Sequence, residues 1–428
     1  MSSEVKLDIE TAARILVVGV GGAGGNAIDR MIEANLKGVE FVAVNTDVQD
    51  LHHNKASEKI HIGKNLTKGL GAGMNPEIGR QAAEENRDEI QETLKDADMI
   101  FVTCGMGGGT GTGASPIVAE VAKESGALTV GIITKPFTFE GSQRAALAEE
   151  GIEHLRDRVD TLVTIPNDRL LQVIDKKTTL LSAFRVVDDI LRQGVQGISD
   201  IITLPGIVSV DFADIKAIMQ DAGSALMGIG KASGENRATE AAKQAINSPL
   251  LEMSIDGARG VLFNVSGGSD IGMLEINEAA NVITENVDPN AKVIFGAVAQ
   301  KEEGKKKKKG EIKITVIATG FEEEEDKMGD MPIAQESTSI TQESTPATPE
   351  ETPVDFHQQG SITVSGSEGD IKEVAPEVED DKGKIPQEKP KKPIDYQAKN
   401  EVDETKKDED KLDIPTFIRN KMNKNKIK

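Results

Sequence analysis

Three groups of residues could do chemistry. The run Gly107-Gly108-Gly109-Thr110-Gly111-Thr112-Gly113 holds five glycines in seven positions, and bare backbone of this kind lets amide N–H groups close on an anion, typically a phosphate. Thr110 and Thr112 add hydroxyls. A P-loop would need Lys and then Ser or Thr directly after the last glycine, whereas Ala114-Ser115 follow Gly113, so amides and not a fixed lysine would hold the phosphate. The second group is Gly19-Val20-Gly21-Gly22-Ala23-Gly24-Gly25-Asn26, in which Gly19, Gly21 and Gly24 satisfy G-x-G-x-x-G and Asp47 follows as a candidate ribose acid. Alone, this pattern fits a dinucleotide such as NAD or FAD. With a second phosphate loop in the same domain, a single triphosphate fits better. The third group is Asp211 and Asp214, two carboxylates three residues apart in Ser209-Val210-Asp211-Phe212-Ala213-Asp214. On their own they read as N-terminal helix charges that complement the helix dipole.

These groups need elements to position them. In the first half of the chain apolar runs alternate with amphipathic ones, the pattern of a parallel sheet covered on both faces. The strand candidates are Arg14–Val18, Glu40–Asn45, Met99–Thr103, Leu128–Thr134 and Thr161–Pro166. The helix candidates are Asn26–Ala34, Pro76–Lys95, Ser142–Arg158 and Asp168–Val173, with another starting at Pro116. The resulting expectation is an α/β fold: a flexible start over 1–13, then a doubly wound parallel-sheet nucleotide-binding domain over 14–179. Between Leu180 and Ile202, Leu181, Phe184, Val187, Asp188, Leu191, Val195 and Ile198 recur at helical spacing and predict a long central helix. A smaller α/β domain with a mixed sheet follows over 203–321. Its predicted elements are helix Phe212–Ala222, strand Ser224–Gly230, helix Arg237–Asn247, strand Gly260–Ser266, helix Met273–Asn286 and strands Ala291–Ala299 and Glu311–Thr319. The last two strands are read as a hairpin whose loop, Gln300–Gly310, carries Lys305 to Lys309.

Composition narrows the function. The net charge of −22 repels nucleic acid, and about −15 of it lies between Phe321 and Lys411. The single cysteine, Cys104, allows no internal disulfide and fits a reducing compartment. The five histidines never meet a second His or Cys at metal-ligand spacing, so no side-chain metal site is expected. No run of eighteen apolar residues occurs and no leader pattern opens the chain, which points to the cytoplasm.

Beyond residue 321, Glu, Asp, Lys, Pro, Ser and Thr dominate, so 322–411 reads as a disordered acidic linker. Apolar residues return in Leu412-Asp413-Ile414-Pro415-Thr416-Phe417-Ile418-Arg419 ahead of a basic end, and 412–428 reads as a docking peptide with a basic tail.

Taken together, Gly19–Asn26, Val44–Asp47, Gly69-Leu70-Gly71-Ala72-Gly73, Cys104–Gly113, Pro136–Gly141, Ile165–Asp168 and Gln193–Ile198 resemble the tubulin and FtsZ family of GTPases, over about Arg14 to Gly320 plus the terminal peptide. The resemblance implies binding of GTP or GDP with Mg2+. The nucleotide-binding residues it implies are Gly21, Gly22, Ala23, Gly24, Gly25 and Asn26 in the first loop, and Gly105, Gly107, Gly108, Gly109, Thr110, Gly111, Thr112 and Gly113 in the second. Gly109, Thr110 and Gly111 would hold the β- and γ-phosphates, Glu140 the ribose, Arg144 the phosphates and ribose, and Asn167 with Asp188 the guanine edge. From the residues alone, Glu140 and Arg144 are equally an i,i+4 surface pair, Asn167 a helix cap and Asp188 a solvated face.

By the same resemblance, Asp211 and Asp214 enter the pocket of the next subunit and polarise the attacking water, giving a head-to-tail filament that forms the division ring at midcell. Asp413, Ile414, Pro415, Phe417, Ile418 and Arg419 would dock membrane tethers and regulators of division, with no direct membrane insertion. Ser209, where the family often has Asn, departs from the pattern. A non-dividing scaffold of the same superfamily, or a dinucleotide-dependent oxidoreductase, are the alternatives.

Overall fold

A computed structural model describes residues 13–172, 178–204, 206–208, 210–251, 253–268, 270–299 and 310–321. Ser209, the Lys305–Lys309 run, the acidic linker and the docking peptide lie outside the described residues. In chain order the elements are β1 (Ile15–Val20), α1 (Gly21–Glu33), β2 (Glu40–Asn45), α2 (Val48–His53), β3 (Glu58–His61), α3 (Lys64–Thr67), α4 (Pro76–Glu85), α5 (Arg87–Leu94), β4 (Met99–Gly105), α6 (Thr110–Glu124), β5 (Leu128–Lys135), α7 (Ser142–Arg156), β6 (Thr161–Pro166) and α8 (Asn167–Leu170). There follow α9 (Leu180–Thr203), α10 (Phe212–Met219), β7 (Gly223–Ser233), α11 (Arg237–Ile246), β8 (Gly260–Gly267), α12 (Met273–Thr284), β9 (Lys292–Ala299) and β10 (Glu311–Thr319).

The apolar runs become strands buried on both faces, because residues alternate between two cores. In β1 and β4, Ile15, Val17, Met99 and Phe101 face one side, where Ile28 and Met31 of α1 and Val187 and Leu191 of α9 cover them. Leu16, Val18, Ile100 and Val102 face the other, beneath Ala82, Ile90, Val118 and Leu155 of α4, α5, α6 and α7. Six parallel strands in the order β3-β2-β1-β4-β5-β6 form this half.

The second half does not make a separate sheet. β6 pairs in parallel with the start of β7 through Thr161↔Gly223 to Val163↔Ala225, so the ten strands run on as β3-β2-β1-β4-β5-β6-β7-β10-β8-β9. β10 is antiparallel to both β7 and β8. The expected hairpin of the last two strands is not formed: β9 pairs in parallel with β8, Gly260↔Lys292 to Gly267↔Ala299, which leaves β8 between β9 and β10. The predicted helix Pro76–Lys95 also breaks in two. Asn86 ends α4 and starts α5, its Oδ1 accepting from Gly63 N at 2.9 Å and its Nδ2 donating to Glu89 at 2.8 Å. Several predicted ends move inward, as with Phe212–Ala222, which stops at Met219.

α9 has 24 residues, about 36 Å at 1.5 Å per residue. Val187, Leu191, Val195 and Ile198 are buried as expected of a spine, whereas Leu181 and Phe184 at its start are exposed. Its far end packs on the start of β2: a side chain on Gly38, between α1 and β2, would come within 2.5 Å of Thr203. α9 therefore runs from the edge where the parallel strands end to the edge where they begin.

Candidate nucleotide site

Each glycine run passes into the first turn of a helix, while Gly107–Gly109 form the turn between β4 and α6. α1 begins at Gly21 and α6 at Thr110, several residues before the expected starts at Asn26 and Pro116. Glycine's low helix propensity conceals this in the sequence, and close packing overrides it. A Cβ on Gly24 would lie 2.5 Å from the Thr103 carbonyl, and one on Gly113 would overlap the carbonyl of Pro76. The first amides of each helix have no partner within it and share the positive end of its dipole.

β1 and β4 are neighbours, and the strand order turns between them, so both helix N-termini open on one crevice at the carboxyl edge of the sheet. The two segments touch: a Cβ on Gly21 (φ +72°) would lie 2.9 Å from Gly111 N. Thr46 and Thr110 join their hydroxyls at 2.6 Å.

The glycines divide by what a side chain would meet. Gly19, Gly24, Gly111 and Gly113 are fixed by protein neighbours, and Gly107 sits at φ +88° against the Arg144 carbonyl. Gly105 faces Ala23, and Gly109 faces Ala72 and Asn75. Gly108 is different: no protein atom lies within 4 Å of its missing Cβ, and its φ is not in the left-handed region. Nothing in the chain requires glycine there, so the space suits a group from outside. On α1, Gly22, Ala23 and Asn26 are exposed while Gly21, Gly24 and Gly25 are buried. Behind the second loop, Thr112 is buried and its hydroxyl oxygen accepts from Gly107 N at 2.9 Å.

Glu140 and Arg144 form the i,i+4 ion pair that the spacing allowed, and the pair lies against the second glycine loop. Glu140 also accepts from Phe137 N at 2.9 Å, while Arg144 Nε is buried and unpartnered. Asn167 opens α8 but is not its cap, which is Pro166. Its Oδ1 is buried without a partner, so the capping alternative does not hold.

Asp188 is not on a solvated face. It is half-buried, and that burial pushes its carboxyl up to about 6, against a partial pull downward from Arg30. One turn before it, Phe184 packs edge-on to Phe137 at 5.7 Å while 38% exposed, and Phe137 stacks on Phe139 at 4.9 Å. An unpaired carbonyl, a poorly solvated carboxylate and a half-open ring can bind a planar heterocycle with N–H groups on one edge.

Asp211 and Asp214 lie elsewhere. Asp211 is the N-cap residue of α10 without a side-chain capping bond, Asp214 is in the first turn, and both are exposed. The segment that carries them is fastened at both ends to the edge where the parallel strands begin. On one side Thr203 packs on Gly38, and on the other the Met219 carbonyl accepts from Thr161 of β6 at 2.5 Å. The crevice is at the opposite edge, so within one chain these carboxylates do not meet the glycine loops.

Two features of the site were given no role from sequence, and one was given a role the structure does not bear out. Phe184 looked like core because it kept the helical stripe. Asn45 ends β2 and Thr46 follows it beside the crevice; both lie in the Val44–Asp47 segment of the resemblance, which gave neither a role. Asp47, the candidate ribose acid, caps α2 instead, accepting from Gln49 N at 2.9 Å and Asp50 N at 3.2 Å. Around the crevice Leu70, Met74, Phe139, Leu180 and Leu181 are exposed, and on the second half so are Ile207, Met273 and Leu274.

An anion crevice between the N-termini of α1 and α6, with a base-sized polar recess beside it, defines a nucleotide-binding domain of the tubulin type. Residues 14–175 match the Tubulin/FtsZ family, GTPase domain, and residues 223–322 match the FtsZ family, C-terminal domain. The structure is similar to an empty FtsZ dimer of M. jannaschii, with 46% identity, a TM-score of 0.69 and coverage of 73% of this chain and 89% of that one. A point mutant of the M. jannaschii FtsZ gives the same identity and TM-score, over 73% of this chain and 92% of that one. CetZ1 from Haloferax volcanii, in a GDP-bound monomer, shares the fold at 22% identity and TM-score 0.63, over 72% of this chain and 94% of that one. The chain belongs to the FtsZ family of tubulin-like GTPases.

Proposed function

We propose that this protein is a self-assembling GTPase whose subunits join head to tail, each completing the active site of its neighbour, and that the filaments form the cell-division ring at midcell in the cytoplasm. The observation that carries this reading is the separation of Asp211 and Asp214 from the glycine loops. Two exposed carboxylates at one edge and an anion crevice at the other are useless to each other in one subunit. Stacked head to tail, the aspartates of one copy face the phosphates of the next.

In that arrangement the first-turn amides of α1 and α6 hold the phosphates, with Gly108 giving the γ-phosphate room. Glu140 and Arg144 sit near the ribose, and Asn167 and Asp188 accept from the base edge, a pattern that guanine matches and adenine does not. Asp211 and Asp214 of the neighbour orient the attacking water in line with the γ-phosphate. Among the described residues no three His, Cys, Asp or Glu side chains gather to hold a metal. The oxygens of Thr46, Thr110 and Asn45 suit a hard cation, so Mg2+ would arrive on the phosphates and neutralise charge there. The exposed apolar residues at both edges, and the FtsZ dimer of M. jannaschii, support self-association. Residues 413–419 would dock tethers and regulators.

Asp214→Ala tests the assignment. GTP binding should be unchanged and hydrolysis should fall at least about a hundredfold, the scale of losing a group that acts in the transition state. Loss of GTP binding would show that Asp214 serves its own subunit's pocket. Unchanged hydrolysis would favour a scaffold that turns over nucleotide by other means.

A further inference from the structure

α2 places one carboxylate against the phosphate crevice that the reading above does not use. Asp50 Oδ2 lies 3.4 Å from the position of a Cβ on Gly22, one of the exposed residues in the first turn of α1. It is held there by Asn45 Nδ2, which donates to it at 2.7 Å. α2 is tied to α1 as well, through Asn54 Nδ2 donating to the Gly25 carbonyl at 2.8 Å. The carboxylate is thus fixed, partly shielded from water, and aimed at the turn whose amides bind anions.

Before a phosphate binds, this charge suits the positive end of α1. When a phosphate arrives, two negative groups share one helix terminus, and their repulsion in a partly buried setting is not fully screened. We propose that Asp50 is a positioning residue that weakens the hold of the first glycine loop on nucleotide phosphates and so speeds release of the nucleoside diphosphate. This rests on nucleotide binding at that loop. The charged groups around Asp50 are Asp47 at the start of α2, Asp29 on α1 and His53 on α2. Burial and the two aspartates raise the pKa of Asp50, while Asn45 and His53 oppose the rise. Bound phosphate would raise it further, so the carboxylate takes up a proton as pH falls and the repulsion fades.

The test is release of a fluorescent GDP analogue, chased with unlabelled GDP, from the full chain and from Asp50→Asn and Asp50→Glu. At pH 7.5 Asp50→Asn should release about three- to tenfold more slowly, the scale expected of one like charge at the edge of the site. Asp50→Glu should behave like the parent chain. The ratio of parent to Asp50→Asn rates should fall toward one as the pH is lowered. Equal or faster release by Asp50→Asn at pH 7.5 would overturn the proposal, as would a ratio independent of pH. Failure of the parent chain to bind the analogue at all would instead overturn the nucleotide reading beneath it.

Discussion

Gly108 and Gly113 belong to one glycine run, yet they do different things. A methyl on Gly113 meets the Pro76 backbone between α4 and α6, so Gly113→Ala should lower stability by about 1–3 kcal/mol in denaturant titrations, the usual cost of overpacking. Gly108→Ala has open space and should leave stability within about 0.5 kcal/mol while weakening nucleotide binding severalfold. Equal destabilisation by both would remove the argument that Gly108 is reserved for a ligand. The sequence points to an anion site in the run, but not to which glycine serves the fold. That depends on Pro76, far along the chain.

Asp188 carries a second prediction at this scale. Its folded pKa of about 6 exceeds the ordinary 3.8 because burial disfavours the charge. Its stabilising share is complete below about pH 4 and lost as pH rises through 6, the reverse of an ion-paired aspartate. Allowing for partial solvation, the loss is about 1–2 kcal/mol. Asp188→Asn should therefore be more stable than the parent chain at pH 7.5 and indistinguishable below pH 4, while its preference for GTP over ATP collapses. A less stable variant at pH 7.5 would mean that the carboxylate has a partner in the free protein.

Among the elements, α9 decides how the two halves meet. Gly197 lies against Thr315 of β10, a stiff β-branched residue whose Cγ2 would be 2.8 Å from an added Cβ, whereas Gly194 meets the end of the flexible Met227 side chain at 3.1 Å and Ile132 Cγ2 at an ordinary contact distance of 3.4 Å. Gly197→Ala should cost about 1–3 kcal/mol and Gly194→Ala under about 1 kcal/mol by the same titration. The reverse order would mean that β10, not the Met227 side chain, gives way. The helix itself was legible because its stripe is long. The short polar elements α2, α3 and β3 were not, since four to six residues show no usable period. The place of β9 was also hidden: its apolar run marks a strand, but nothing local in it says that β8 is its partner, and sequence adjacency pointed wrongly to β10.

At the scale of the whole molecule, a continuous ten-stranded sheet carries the anion crevice at the edge where its parallel strands end and the Asp211–Asp214 pair near the edge where they begin. The sequence contained both sets of residues. Their separation became visible only once Thr203 and Met219 were seen fastened to the same edge. The distance between them is the reason to expect a polymer. The most direct test is GTP hydrolysis measured against protein concentration, with pelleting in parallel. A site shared between subunits predicts negligible turnover until filaments pellet, and a constant rate per added subunit beyond that threshold. Turnover strictly proportional to protein from the lowest concentration would place the chemistry within one subunit and contradict the shared site.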